Sequence, residues 1–298
     1  MGDTRSVGLI GLGAMGQGMA SSLRADGFNV HVHDNRRDVM QAFVAQGGVA
    51  CESPAEVARQ CQVVISVVVN AAQTEAVLFG PQGAAAAMAQ GSVFVMCSTV
   101  DPGWSAALGA RLAETGVHYL DAPISGGAAK AASGQITMMT AGSAAAYALC
   151  EPMLNAMAAK VYQLGEQPGA GSKVKIINQL LAGVHIAAAA EAMALGLREG
   201  VDPHALYEVI THSAGNSWMF ENRMAHVLAG DYTPWSSVDI FVKDLGLVLD
   251  MARASKFPLP LSSTAHQMFM QASTAGHAAE DDSAVIKIFP GITLPSKA

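Results

Sequence analysis

The sequence predicts an α/β fold in its first half and an all-α second half, and three observations carry that reading. Up to about residue 164, short β-branched runs alternate with alanine-rich helical windows. These runs lack strict apolar–polar alternation, so they fit strands of a mostly parallel sheet covered on both faces. After Gly171 the valine-rich runs stop and the windows become helical. Between the two patterns lies one long apolar stretch, QPGAGSKVKIINQLLAGVHIAAAAEAMALGLRE from Gln167 to Glu199, with a turn at its start and no later proline. The expected organisation is a doubly wound domain over 1–167, then a domain over 168–298 that begins with a long interdomain helix.

Taken in order, the candidate strands are Val7–Ile10, Val30–His33, Val63–Val69, Val93–Cys97, Val117–Leu120, Ile136–Thr140 and Val161–Leu164, with an early helix over Gln17–Asp26. In the second half the expected helices are Ser172–Glu199, Pro203–His212, Ser217–Leu228, Phe241–Ala254, Ser262–Ala275 and Ser283–Phe289. At 298 residues the chain is long enough for two domains. A formal net charge of −7 and 51% hydrophobic residues describe an acidic, well-packed globule. No basic stripe is available to displace counterions from phosphates, which argues against a nucleic-acid partner. The longest apolar region, Leu180–Gly196, contains His185 and Glu191 and is short for a membrane span. Val7–Ile10 leads into glycines rather than a cleavage site. Cys51, Cys61, Cys97 and Cys150 lack metal-like spacing and read as reduced thiols, so the expected location is the cytoplasm.

The first chemistry is at Gly11-Leu12-Gly13-Ala14-Met15-Gly16, a G-x-G-x-x-G between a strand and a helical window. Gly11 permits a tight turn, Gly13 lets backbone approach a pyrophosphate, and Gly16 allows close helix–strand packing. Asp34 ends the second strand, where an acid holds the adenosine ribose hydroxyls in Rossmann-type domains. Arg36 and Arg37 follow and would attract a 2′-phosphate, but the acid has the strand-end position. NAD is therefore expected ahead of NADP. Asn35, beside Asp34, and Val69 and Asn70, after the strand that starts at Val63, join the cofactor-binding candidates.

Ser125-Gly126-Gly127 can form a small nest of backbone N–H groups and a hydroxyl for a carboxylate, although the same string is common in ordinary turns. Thr99 follows another strand end and can face nicotinamide or substrate. Lys175, Asn178 and Gln179 leave one face of the long helix together. Lys175 either snorkels to solvent or is kept inside for a chemical reason. Lys243-Asp244 reads by default as a solvated charge pair, with the alternative that Lys243 reaches the cofactor. The nine histidines suggest no metal site; His212 is kept only as a possible substrate contact, and Lys130 faces either substrate or solvent.

Together these strings resemble the β-hydroxyacid dehydrogenase family, which includes 3-hydroxyisobutyrate dehydrogenases and tartronate semialdehyde reductases. IGLGAMGQGM at 10–19 looks like its cofactor signature, DAPISGG at 121–127 its substrate loop, GAGSKVKIINQ at 169–179 its catalytic segment, and KDL at 243–245 its late cofactor contact. The resemblance implies a catalytic Lys175, a substrate carboxylate held by Ser125, Gly126 and Gly127, and a cofactor site lined by Thr99 and Lys243. Where many members carry asparagine, one turn beyond the lysine, this chain has Gln179. That variant, the segment VNAAQTE at 69–75 and VDIF at 238–241 look most like the branch that oxidises the C2 hydroxyl of L-threonate with NAD. The resemblance also implies homodimers or homotetramers. A lysine with an ordinary pKa of about 10.4 is a poor base near neutrality, so burial or nearby positive charge must lower it. A non-catalytic dinucleotide sensor and an imine reductase are the competing readings, and the lysine with its amide neighbours counts against both.

Overall fold

The structure, a computed structural model, describes residues 5–297. It divides into two compact units, one running to Lys175 and the other from Ile176.

The first unit runs β1 (Ser6–Ile10), α1 (Ala14–Ala25), β2 (Asn29–His33), α2 (Arg37–Ala45), β3 (Val49–Ala50), α3 (Pro54–Gln60), β4 (Val63–Ser66), α4 (Ala71–Phe79), β5 (Val93–Met96), α5 (Pro102–Ala113), β6 (His118–Asp121), β7 (Ile124–Ser125), α6 (Gly127–Ala132), β8 (Ile136–Gly142), α7 (Ala144–Met157) and β9 (Ala158–Gln163). Strand order is β3-β2-β1-β4-β5-β6-β8-β7, with β9 paired to β8. From β3 to β6 every pair is parallel, and this is the order of a dinucleotide-binding sheet. Successive side chains of a strand bury on opposite faces. Leu9, Ile65 and Val95 enter one core with Met19, Leu23 and Met153, while Ile10, Val64 and Phe94 enter another with Val57, Leu108 and Leu112. Helices therefore cover both faces, as the unbroken apolar runs require.

Three details depart from the sequence reading. β4 stops at Ser66 instead of Val69, because Val67–Val69 peels away to line a cavity and Val68 O accepts a bond from Ser98 Oγ at 2.8 Å. β3 and β7, two residues each, are too short to give a periodic signal. β8 runs antiparallel to β6, which ends the parallel part of the sheet.

The second unit consists of most of the long helix α8 (Ala170–Arg198), then α9 (Pro203–Thr211), α10 (Trp218–Ala229), α11 (Val238–Ser255) and α12 (Pro260–Ala272). The expected helix at Ser262–Ala275 ends at Ala272 and continues as a π-turn, Ser273–His277, and the last expected helix is a 3₁₀ segment, Asp282–Ile288. Ile186, Ala190 and Met193 of α8 pack with Phe241, Leu245 and Phe269 in one core. Gly183 allows this approach, since a Cβ there would press on the Leu245 side chain at about 2.9 Å. Arg223 and Asp282 form a buried ion pair, Nε to Oδ1 at 2.5 Å, so neither charge is left uncompensated inside.

The unit boundary at Lys175 lies inside α8 and not at its start. The reason is Asp121, whose carboxylate ties the first turn of α8 to the first unit: Oδ2 accepts from Gly169 N and Ser172 N, both at 2.9 Å, and Oδ1 from Ser172 Oγ at 2.6 Å.

Candidate active site

β1 and β4 are sheet neighbours, and beyond their carboxyl ends lies a cavity of about 790 Å³. Chains leaving such a pair diverge to opposite flanks and open a crevice. Gly11, Gly13, Asp34, Asn35, Arg36 and Val69 are among the residues lining it. Gly11 has φ +99°, and a Cβ there would press on the Val67 carbonyl, so no other residue suits that turn. A Cβ on Gly16 would overlap the Gly11 carbonyl oxygen. Gly13 is the N-cap of α1, has no side chain to cap that helix, and faces open space where its Cβ would be. Uncapped N–H groups and a cradle without side chains are what a pyrophosphate requires, and the residues fit a dinucleotide.

Asp34 is held on both oxygens. Leu12 N donates to Oδ2 at 2.7 Å, and Arg36 N and Nε donate to Oδ1 at 2.9 and 3.1 Å. Burial works to raise this carboxyl, but the bonds from Arg36 and Leu12 outweigh it and leave it below the ordinary value. The carboxylate is thus ionised at neutrality, and Arg36 is drawn onto it; Arg36 Nη2 also donates to Leu12 O at 3.1 Å. Leu12 packs in the core and Met15 lies against it, so these two motif positions serve packing, with Leu12 adding its N–H to Asp34. Ala14 is exposed at the start of α1. Asn70 is committed as the N-cap of α4, its Oδ1 accepting from Gln73 N at 2.9 Å, while Gln73 Oε1 accepts from Val69 N at 2.8 Å.

Ser125 ends β7, and Gly126, at φ +131°, turns the chain into α6, which begins at Gly127. That conformation is strained for any side chain, and the alkyl chain of exposed Lys130 also runs over Gly126. Thr99 is half-buried just past β5, next to Ser98, whose hydroxyl fixes the Val67–Val69 turn. Asp121 is fully buried, and burial pushes its carboxyl above the ordinary value even though the bonds from Ser172 and Gly169 pull it down. All four cysteines are buried; burial pushes the Cys51 thiol up to about 11 and the Cys61 thiol up to about 12, which makes them unreactive.

On α8, Lys175 and Gln179 are each only 7% exposed, and Asn178 is half-buried. The snorkelling alternative for Lys175 is thereby removed. In the second unit Gln179 Nε2 donates to Asp244 Oδ2 at 2.6 Å, and Asn178 Nδ2 donates to Gln179 Oε1 at 3.0 Å. Asp244 Oδ1 lies 2.8 Å from Lys243 Nζ. The default reading of Lys243-Asp244 as a solvated pair is therefore corrected: Asp244 is 2% exposed, because its neighbour on the helix and an amide from α8 both compensate it. His212 turns Nδ1 to Glu208 O at 2.8 Å, at the exposed end of α9.

The sequence pattern of the NAD binding domain of 6-phosphogluconate dehydrogenase matches residues 6–165, and the NAD-binding pattern of NADP-dependent 3-hydroxyisobutyrate dehydrogenase matches residues 169–289. An L-threonate dehydrogenase of Cupriavidus necator is 70% identical over 295 residues, covering 99% of each chain. The chain belongs to the β-hydroxyacid dehydrogenase family. A second relative, an L-threonate dehydrogenase of Haemophilus influenzae, is 51% identical over 98% of this chain and 97% of its own. The crystal structure of a 3-hydroxyisobutyrate dehydrogenase from Salmonella typhimurium is similar with a TM-score of 0.92 at 52% identity, over 95% of this chain and 99% of that one. As a β-hydroxyacid dehydrogenase the chain is an NAD-dependent oxidoreductase acting on the CH–OH group of a small hydroxy acid. Motif reading placed Asp121 and Asp244 inside DAPISGG and KDL but missed that they, like Ser98, act through other residues. Their partners are remote in sequence, and no local pattern announces them.

Proposed function

We propose that the chain oxidises the C2 hydroxyl of L-threonate to the 2-oxo acid, with Lys175 as the proton acceptor. The observation that carries this reading is the near-complete burial of the Lys175 side chain, 7% exposed, on a helix face shared with Asn178 and Gln179. A lysine is rarely buried without a compensating purpose, and alcohol oxidation needs a base. NAD, when bound, supplies the hydride acceptor. Gly11, Gly13 and Asp34 hold its pyrophosphate and ribose, and Asn35, Val69 and Thr99 of the same unit line the rest of its site. Ser125 with the N–H groups of Gly126 and Gly127 receives the substrate carboxylate. Oxidation uses the neutral amine of Lys175 to take the hydroxyl proton, and the reverse reaction uses the ammonium to return it and polarise the carbonyl.

L-threonate is favoured because the 70% identical relative carries that name and because Gln179 stands where hydroxyisobutyrate-type members have asparagine. The second reading is 3-hydroxyisobutyrate, the substrate in the name of the Salmonella protein. Ile177, Leu181 and Leu195 are 50%, 52% and 62% exposed on α8, an apolar face that supports a homodimer or homotetramer. The same reading places the enzyme in the cytoplasm. NADH formation measured across hydroxy acids tests it: L-threonate is expected to give the highest kcat/KM, and faster turnover of 3-hydroxyisobutyrate or tartronate would decide against it.

A further inference from the structure

The hydrogen-bond chain behind Asn178 has a direction, and one charged group sets it. Asp244 is a carboxylate paired with Lys243 Nζ at 2.8 Å, and an ionised carboxylate can only accept. Gln179 must therefore turn its NH₂ to Asp244 Oδ2, where the separation is 2.6 Å, and its carbonyl the other way. That carbonyl, Oε1, in turn accepts. Asn178 supplies its Nδ2 at 3.0 Å. The amide orientations are thus consequences of Asp244 and not arbitrary choices between O and N. The chain ends on Asn178 Oδ1, which has no hydrogen-bond partner among the described residues and belongs to a half-buried side chain. Asn178 also lies three residues beyond Lys175, on the same side of α8.

We infer that Asn178 Oδ1 is a fixed acceptor that reads a hydroxyl of the substrate next to the reacting carbon, with Gln179 and Asp244 as positioning residues that set its polarity. The inference rests on the hydroxy-acid oxidation proposed above. It gives the family departure at Gln179 a physical role. Asparagine at that position would be one methylene shorter and would not span to Asp244, so the chain would lose its direction. An acceptor that cannot turn over favours acids with a second hydroxyl and disfavours those with a methyl or methylene there, because it would be left unpaired.

The test compares kcat/KM for pairs of acids that differ by one hydroxyl, L-threonate against its 3-deoxy analogue and glycerate against lactate. Wild-type enzyme is compared with Asn178→Ala, Gln179→Asn and Asp244→Asn. Asn178→Ala is expected to lower the hydroxyl-bearing member of each pair about 10- to 100-fold more than its partner. Gln179→Asn and Asp244→Asn narrow the same ratio, the second because asparagine can present either a donor or an acceptor. Retained NAD binding in each variant certifies folding. Equal losses for both members of a pair, or a wild-type ratio near one, would overturn the inference. Oxidation of glycerate at C2, to hydroxypyruvate, without oxidation of L-threonate would remove the threonate reading alone, since the glycerate–lactate pair then still reports on Asn178.

Discussion

Asp34 uses one carboxylate for two purposes, fastening the glycine turn through Leu12 N and holding Arg36 against itself. With its guanidinium on Asp34 Oδ1 and Leu12 O, Arg36 is occupied where a 2′-phosphate would need it. Replacing the acid by a neutral residue, as in Asp34→Ser, releases Arg36 and removes the repulsion of that phosphate. The NADP-to-NAD ratio of kcat/KM should rise by about 100-fold, the equivalent of one or two charge-assisted hydrogen bonds. Steady-state kinetics with both cofactors measures this, and an unchanged ratio would mean that Arg36 does not discriminate. Asp34 itself was legible in the sequence, because a strand end after G-x-G-x-x-G fixes where an acid must stand. The competition with Arg36 was legible only as two opposing charges, since the turn that brings Nε to 3.1 Å from Oδ1 is a backbone geometry with no residue pattern of its own.

Helix α8 shows how an element can be plain in the sequence while its anchor is not. Its length followed from the apolar run, and its start from Pro168, Gly169 and Gly171. Its cap did not, because the acceptor for Gly169 N, Ser172 N and Ser172 Oγ is Asp121 at the end of β6. That carboxylate joins the beginning of the long helix to the sheet. Asp121→Ala would leave these three donors without their acceptor in a buried site, at a cost of about 2–4 kcal/mol. Chemical denaturation should show a correspondingly lower midpoint, with Asp121→Asn between the two; an unaltered midpoint for the alanine variant would contradict the anchoring role. The short strands β3 and β7 and the π-turn after α12 escaped notice for a different reason: periodicity needs more residues than they contain.

At the scale of the molecule, the sequence separated a sheet-forming half from a helical half because burial on both faces of a parallel sheet and burial along a helix leave different residue patterns. It could not show that Lys243-Asp244 is withdrawn from solvent, since that depends on α8 lying against α11 in the second unit. In the proposed function the dinucleotide cavity and the buried amine serve one reaction: the chain oxidises a hydroxy acid, and Lys175 takes the proton. Measuring NADH formation from L-threonate by wild-type and Lys175→Ala enzyme, alongside NAD binding by fluorescence, tests it most directly. A fall in kcat of about 10²- to 10⁴-fold with NAD affinity within about threefold of wild type is the expected result. Turnover by Lys175→Ala close to the wild-type rate would contradict it.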